Sequence, residues 1–376
     1  MRKWDEIHAC GTHDWHKKKG EGSRMTSQLE KGSPNASHGF DVLRLVAATL
    51  VIYGHAFPLT GAVSPGFLGN SIQTIGVKIF FVISGFLITK SWLASRSLSD
   101  YVLKRALRIW PGLAATILLT AFVLGPLLTS LAPWDYLISS SPWRYLRNTL
   151  LYPVYDLRGV FEHNVYPNAV NGSLWSLPVE VSMYIAVPLI LWKRQRDSVL
   201  PLAIAAVALV LLGLSYVRVA PPAAPLVIYG TSLFSTLDVA CYFMIGGVCS
   251  FAQVDVFRRY WLLFAVLLLL GQVIGHPVIA ELYLAVALPL FVIGFGSLRL
   301  AWWERITRGN DYSYGMYLYG FPVQQWLLFA RPGGRAEENF IWSMPVVLLF
   351  AVASWHGVER PAMRLKRYLS NKGNLI

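Results

Sequence analysis

Charge is scarce in this sequence. Only 14% of its 376 residues are charged and 55% are hydrophobic, whereas soluble domains carry roughly 25% and 45–50%. Mean hydropathy is +0.47. A chain so short of polar side chains cannot clothe a water-soluble globule of its size. Disorder is excluded as well, because 14% of the residues are aromatic and long apolar runs oppose an unfolded chain. Cysteine is nearly missing. Cys10, Cys241 and Cys249 form no pair with metal-ligand spacing and no disulfide framework, and no metal site is expected. Cys241 and Cys249 lie in apolar sequence and read as small buried hydrophobes. There is no internal repeat, no second polar domain and none of the alternating ten-residue strands of a membrane β-barrel. The first apolar run begins near Phe40, so no cleavable signal peptide is expected.

What is present is a series of apolar stretches at about 41–59, 72–93, 109–131, 174–192, 198–217, 226–249, 260–275, 279–297, 312–330 and 340–357. Each is near the roughly 20 residues that span a hydrocarbon layer. They predict an all-α polytopic membrane protein with about ten transmembrane helices. Residues 1–39 form a polar, disordered cytoplasmic tail in which Met25 is an alternative start. Residues 40–361 form the transmembrane domain, and 362–376 a basic cytoplasmic tail. The 132–173 connection is the one long loop, with room for an interfacial helix around 143–151. With both ends inside, 24 of the 33 Lys and Arg residues fall on the cytoplasmic side, six on the other and three within segments. That asymmetry is the positive-inside pattern. The net charge of +13 therefore orients the chain and is not a nucleic-acid footprint.

Ionisable groups inside membrane segments are costly, and each invites a functional reading. Arg44 and His55 share the first segment, eleven residues apart. At 100° per residue they lie on one helix face, about 16 Å apart along the axis. The competing readings are a snorkelling anchor beside Asp41 for Arg44 and a helix–helix hydrogen bond for His55. Counting residues from the outer helix ends places His55, Lys78 and Glu180 at similar depth, facing one aqueous cavity. A neutral imidazole beside a carboxylate is the arrangement of a general base; the competing reading is a structural Lys78–Glu180 ion pair. Arg105 and Arg108 are three apart, so on a helix they could grip a phosphate, or serve topology alone. Pro111 suits the first turn of the third helix. Asp238 and Glu281 are expected to point inward. Tyr312, Tyr319 and Trp326 fit an aromatic belt or a cavity wall.

These residues resemble the acyltransferase-3 family, the bacterial integral-membrane O-acyltransferases. Arg44 and His55 match its Arg, ten residues, His pattern, and Arg105 and Arg108 its RxxR motif. GVKIFFVISGFLI, SLWSLPVEVSMY with Glu180 at the glutamate, SYGMYLYGFPV and VERP match further blocks in order, spanning 40–361. The family often has a histidine where this chain has Gly320, a departure that suggests a distinct subgroup, and no appended SGNH-type hydrolase domain is expected. The resemblance implies an enzyme of the bacterial inner membrane. It would bind no resident cofactor and would move an acyl group, most often acetyl, from cytoplasmic acyl-CoA to a hydroxyl of a glycan or lipid-linked saccharide. His55 would be the general base, Glu180 its orienting carboxylate, and Arg44 would line the donor path. Arg105 and Arg108 would hold the CoA phosphates. Lys78, Ser84, Tyr184 and Tyr317 would shape the substrate cavity. A transporter or flippase, with the same charges as a substrate or proton pathway, is the competing class. A membrane scaffold for glycan assembly is a third.

Overall fold

The structure is a computed structural model that describes residues 38–95, 97–192, 198–218, 226–307 and 309–365. Of the tail expected over 1–39, residues 1–37, with Cys10 and Met25, lie outside the described residues, and Gly39 already belongs to the first helix. Residues 366–376 and Arg96, Lys193, Arg194, Arg196 and Arg308 of the charge count also lie outside them.

The helix Ile72–Leu93 (α2) is the axis of the bundle. It follows α1 (Gly39–Leu59) and a two-residue hairpin, β1 (Gly66–Phe67) with β2 (Asn70–Ser71). Around α2 pack α1, α6 (Ser176–Ile190), α8 (Leu233–Cys249) and α11 (Pro277–Gly296). The approach to α8 is backbone to backbone. A Cβ on Gly85 would lie 1.9 Å from the Phe243 carbonyl oxygen, and one on Gly246 would lie 2.3 Å from that of Val82. Small residues at such crossings let apolar helices gain van der Waals contact where lipid supplies no hydrophobic drive.

The third helix starts earlier than its apolar run. α3 (Leu98–Leu119) is capped by Ser97, whose hydroxyl accepts from the Asp100 N–H at 3.1 Å, and its first turns are tied by Lys104 to Asp100 at 2.5 Å. Pro111 therefore sits inside the helix rather than at its start. α3 runs through a π turn (Thr120–Leu124) to Leu128, and Tyr136 donates to the Ala121 carbonyl within that turn at 2.8 Å. The long connection holds α4 (Pro133–Ile138), α5 (Ser140–Tyr145) and a 3-10 turn (Leu146–Leu150), so the helix expected near 143–151 is present in two short pieces.

Next come α7 (Leu200–Arg218) and a second hairpin, β3 (Val227–Ile228) with β4 (Thr231–Ser232), which leads into α8. Then follow α9 (Val254–Arg259), α10 (Trp261–Leu270), α11, α12 (Ala301–Thr307), α13 (Ser313–Ala330) and α14 (Ala336–Ser354). α14 ends in a second π turn, Trp355–Glu359. Every one of the ten apolar segments contains a helix, and the chain is a multi-pass membrane protein. Among the described residues, six stretches are long and apolar enough to cross a membrane: Gly39–Leu59, Ile72–Leu93, Leu98–Leu128, Gly172–Ile190, Pro277–Gly296 and Ala336–Leu365. The other segments are shorter or, in α13, carry Tyr and Gln among apolar residues.

Candidate active site

Three guanidinium groups converge on one internal cavity. Arg44 comes from α1, Arg105 and Arg108 from α3, and Ser84, Ser176, Glu180, Tyr184, Tyr314 and Tyr317 share the lining. Its volume is about 90 Å³, the size of a short acyl group or a few waters. Arg108 donates to Asp311 Oδ2 at 2.5 Å and lies 3.8 Å from Glu359 Oε2. Arg44 reaches the same Asp311 oxygen at 3.5 Å and Asp41 at 3.2 Å. One carboxylate thus holds two guanidiniums. Its other oxygen accepts from the Ser313 N–H at 3.2 Å and the Ser313 hydroxyl at 2.5 Å. Burial opposes ionisation of Asp311, yet the neighbouring Arg108 and Arg44 hold its carboxyl below the usual range. The Arg108 guanidinium also lies over the Tyr314 and Trp355 rings, at 5.6 and 5.9 Å. Arg105 is different. It forms no salt bridge among the described residues, and its buried Nε has no hydrogen-bond partner.

Opposite these cations, Glu180 Oε1 accepts from Ser84 Oγ at 2.9 Å and from the Tyr184 hydroxyl at 2.5 Å. Tyr317 donates its proton to the Ser173 carbonyl at 2.8 Å, so the Ser176 hydroxyl 2.5 Å away donates to Tyr317. Seven residues named from sequence meet here: Arg44, Ser84, Arg105, Arg108, Glu180, Tyr184 and Tyr317.

His55 and Lys78 are elsewhere. No hydrogen bond links Glu180 to His55, and neither ring nitrogen of His55 is hydrogen-bonded by a described residue. The imidazole packs edge-on against Phe321, centroids 5.3 Å apart. Lys78 is fully buried and pairs with Asp238 at 2.8 Å and Glu281 at 2.7 Å, not with Glu180. It also donates to Asn70 Oδ1 at 2.7 Å and lies 4.7 Å from the Tyr242 ring centroid. The expected shared depth fails because it assumed that every helix starts at the membrane surface. The strand of chain entering α6 is already buried at Val170, Asn171, Ser173 and Leu174. Glu180 consequently meets Ser84, six residues or about 9 Å further along α2 than Lys78. Lys78 leaves the substrate cavity and becomes a clamp between α2, α8 and α11.

The family model for the acyltransferase-3 domain matches residues 37–355. The chain belongs to the acyltransferase-3 family. It is 29% identical over 331 residues to an O-acetyl transferase of Shigella phage Sf6, covering 86% of this chain and 95% of that one. It is 28% identical over 367 residues to Nodulation protein 10 of Rhizobium leguminosarum bv. viciae, covering 88% and 95%. No solved structure matches. The protein is an acyltransferase, similar to an O-acetyl transferase.

Within this acyltransferase the Gly320 departure has a steric reason. A Cβ at Gly320 would lie 2.8 Å from Ile52 Cγ1, so α13 docks on α1 closely enough that any side chain there would have to displace Ile52. One turn on, Gln324 Nε2 donates to the Ile52 carbonyl at 2.8 Å. Three cavity partners escaped the sequence reading: Asp311, Tyr314 and Glu359. Asp311 and Tyr314 stand at the head of the helix-nine block and Glu359 within VERP. Nothing in one dimension says that a π turn, a local insertion often found at functional sites, carries Glu359 into the bundle, where it is bonded by Ser354 at 2.9 Å.

Proposed function

We propose that this acyltransferase moves an acyl group, acetyl in the first instance, from cytoplasmic acyl-CoA to a hydroxyl of a glycan or lipid-linked saccharide of the bacterial cell envelope. One observation carries the reading. Arg44 and His55 lie on one face of α1, about 16 Å apart. The first enters a cavity with a cation that has no anionic partner among the described residues, and the second offers an imidazole whose nitrogens no described residue bonds. A half-buried arginine whose Nε is buried and unpartnered is costly unless an anion joins it, and an anionic donor supplies one.

A hydroxyl must lose its proton to attack a thioester. His55 takes that proton as the new C–O bond forms at the acyl carbon. The C–S bond then breaks and CoA leaves as the thiol, taking the proton back from the imidazolium. Glu180 serves the donor cavity, holding Ser84 and Tyr184, and Arg105 receives the donor's anionic portion. Arg108, saturated by Asp311 and Glu359, fixes the wall of that cavity.

Mass spectrometry of envelope glycans decides between this and transport. Cells carrying His55→Ala at normal membrane abundance should lack an acyl mass that wild-type cells add. An unchanged acyl pattern, with purified wild-type protein releasing no CoA from acetyl-CoA, would sink the enzyme mechanism in favour of a transporter or scaffold.

A further inference from the structure

A second cavity, of about 520 Å³, opens between the 155–175 chain and the start of α8. That volume is within the roughly 300–1,000 Å³ of small-molecule sites. Its chemistry is the opposite of the arginine cavity. Three aromatic side chains, Tyr155, Tyr166 and Trp175, surround Asn168, Ser232 and Ser235, and no charged residue lines it among the described residues.

The polar groups in this ring are unspent. The Asn168 amide, the Ser232 and Ser235 hydroxyls and the Trp175 indole N–H form no hydrogen bond with any described residue. Ser232 precedes α8 yet makes no capping bond. The wall is held in place, however. Gln325 Nε2 donates to the Tyr166 and Ala169 carbonyls at 2.8 Å each, and Asn164 Nδ2 donates to Gln325 Oε1 at 2.8 Å. Thr231 ties the Trp175 carbonyl at 3.3 Å and Tyr155 donates to the Gly230 carbonyl at 3.1 Å. Asn168 itself is held at φ +63°, a conformation that asparagine tolerates better than most side chains.

This cavity also adjoins His55. The Phe321 ring is shared: His55 lies against it at 5.3 Å and Tyr166 at 6.3 Å, both edge-on. A Cβ on Gly172, which lines the cavity, would be 2.6 Å from the same ring. Phe321 is thus the partition between the imidazole and the neutral cavity.

We infer that this cavity is the acceptor subsite, taking an uncharged sugar ring. A pyranose has an apolar C–H face that stacks on aromatic rings and a rim of hydroxyls that both donate and accept. Rigid rings with adaptable amide and hydroxyl groups, and no charge, match both properties. A phosphorylated or carboxylated acceptor would find no counter-ion here. The inference rests on the acyl-transfer reading and deepens it by naming the class of acceptor.

The test uses the full chain in detergent, with methyl glycosides of neutral hexoses and deoxyhexoses as probes and saturation-transfer NMR as readout. At least one glycoside should bind saturably. Ser235→Trp, which fills the cavity, and Tyr166→Ala should each weaken binding more than tenfold. Acetyl-CoA binding at the arginine cavity should be unchanged in both. Absence of saturable binding by every glycoside, or binding indifferent to Ser235→Trp and Tyr166→Ala, overturns the proposal. In cells, glycan acylation that persists in Ser235→Trp but vanishes in His55→Ala overturns the subsite and leaves acyl transfer standing. Persistence in both overturns the acyl-transfer reading itself.

Discussion

Lys78→Met removes an ammonium from the centre of the bundle while keeping the length of the side chain. Three oxygens lose a donor: Asp238 Oδ1 at 2.8 Å, Asn70 Oδ1 at 2.7 Å and Glu281 Oε1 at 2.7 Å, the last keeping only the Tyr242 hydroxyl at 2.8 Å. Two carboxylates then face each other with no cation between them. Breaking a buried pair by deleting one partner costs about 3–5 kcal/mol. The Asp238 and Glu281 side chains keep 18% and 33% of their exposure, so solvent screens them and the lower figure, about 3 kcal/mol, applies. At roughly 2 °C per kcal/mol the midpoint should fall by about 6 °C, read by tryptophan fluorescence during heating of the detergent-purified protein. Lys78→Met combined with Asp238→Asn and Glu281→Gln should recover most of that loss, because neutralising a whole buried set costs far less than orphaning part of it. An unshifted midpoint in the single variant, or a triple variant no more stable than the single one, would refute the clamp.

Arg105→Ala should weaken acetyl-CoA binding at least tenfold by titration calorimetry while leaving the melting midpoint within about 1 °C, since no salt bridge is lost; equal affinity would return that arginine to a topological role. Gly320→His should lose about 1–3 kcal/mol of stability through overpacking, and Ile52→Ala in the same chain should restore part of it; a histidine tolerated without cost would contradict the docking of α13 on α1. The ion pairs of Asp311 contribute fully above its ordinary value of 3.8 and are lost as pH falls through its lower native value. Wild-type melting midpoints should therefore drop more steeply below about pH 4 than those of Asp311→Asn; parallel curves would show that Asp311 is not the ionised partner of Arg108.

The helices were legible because roughly 20-residue apolar runs have few alternatives. The start of α3 was not, since its first turns are polar and owe their helicity to the Ser97 cap and the Asp100–Lys104 pair. Seven cavity residues could be named, Arg44, Arg105, Arg108 and Glu180 from their charge and Ser84, Tyr184 and Tyr317 from the family resemblance, yet pairings across the chain could not. Lys78 finds Glu281 203 positions away, a match set by α2 packing against both α8 and α11. Asp238 and Glu281 stood out in the sequence as buried acids, but no local rule chose their cation. Depth failed for a similar reason. Counting from a helix end is sound only where that end lies at the membrane surface, and buried Asn171 and Ser173 show that the approach to α6 is inside the bundle.

The face of α1 that carries Arg44 and His55 also acts as a ruler. A helix locked against α13 by the Gly320–Ile52 contact and the Gln324 bond neither stretches nor slides freely. The gap of about 16 Å between anion-binding end and base is therefore set by eleven residues of rise. On the proposed reading, the donor must bring its own reach. An acyl group carried on a long flexible arm could anchor at one end and react at the other, whereas a compact activated ester would bind and fall short. Chain length between anion and thioester thus becomes a selection criterion written into a single helix, separate from any recognition of the acyl group itself.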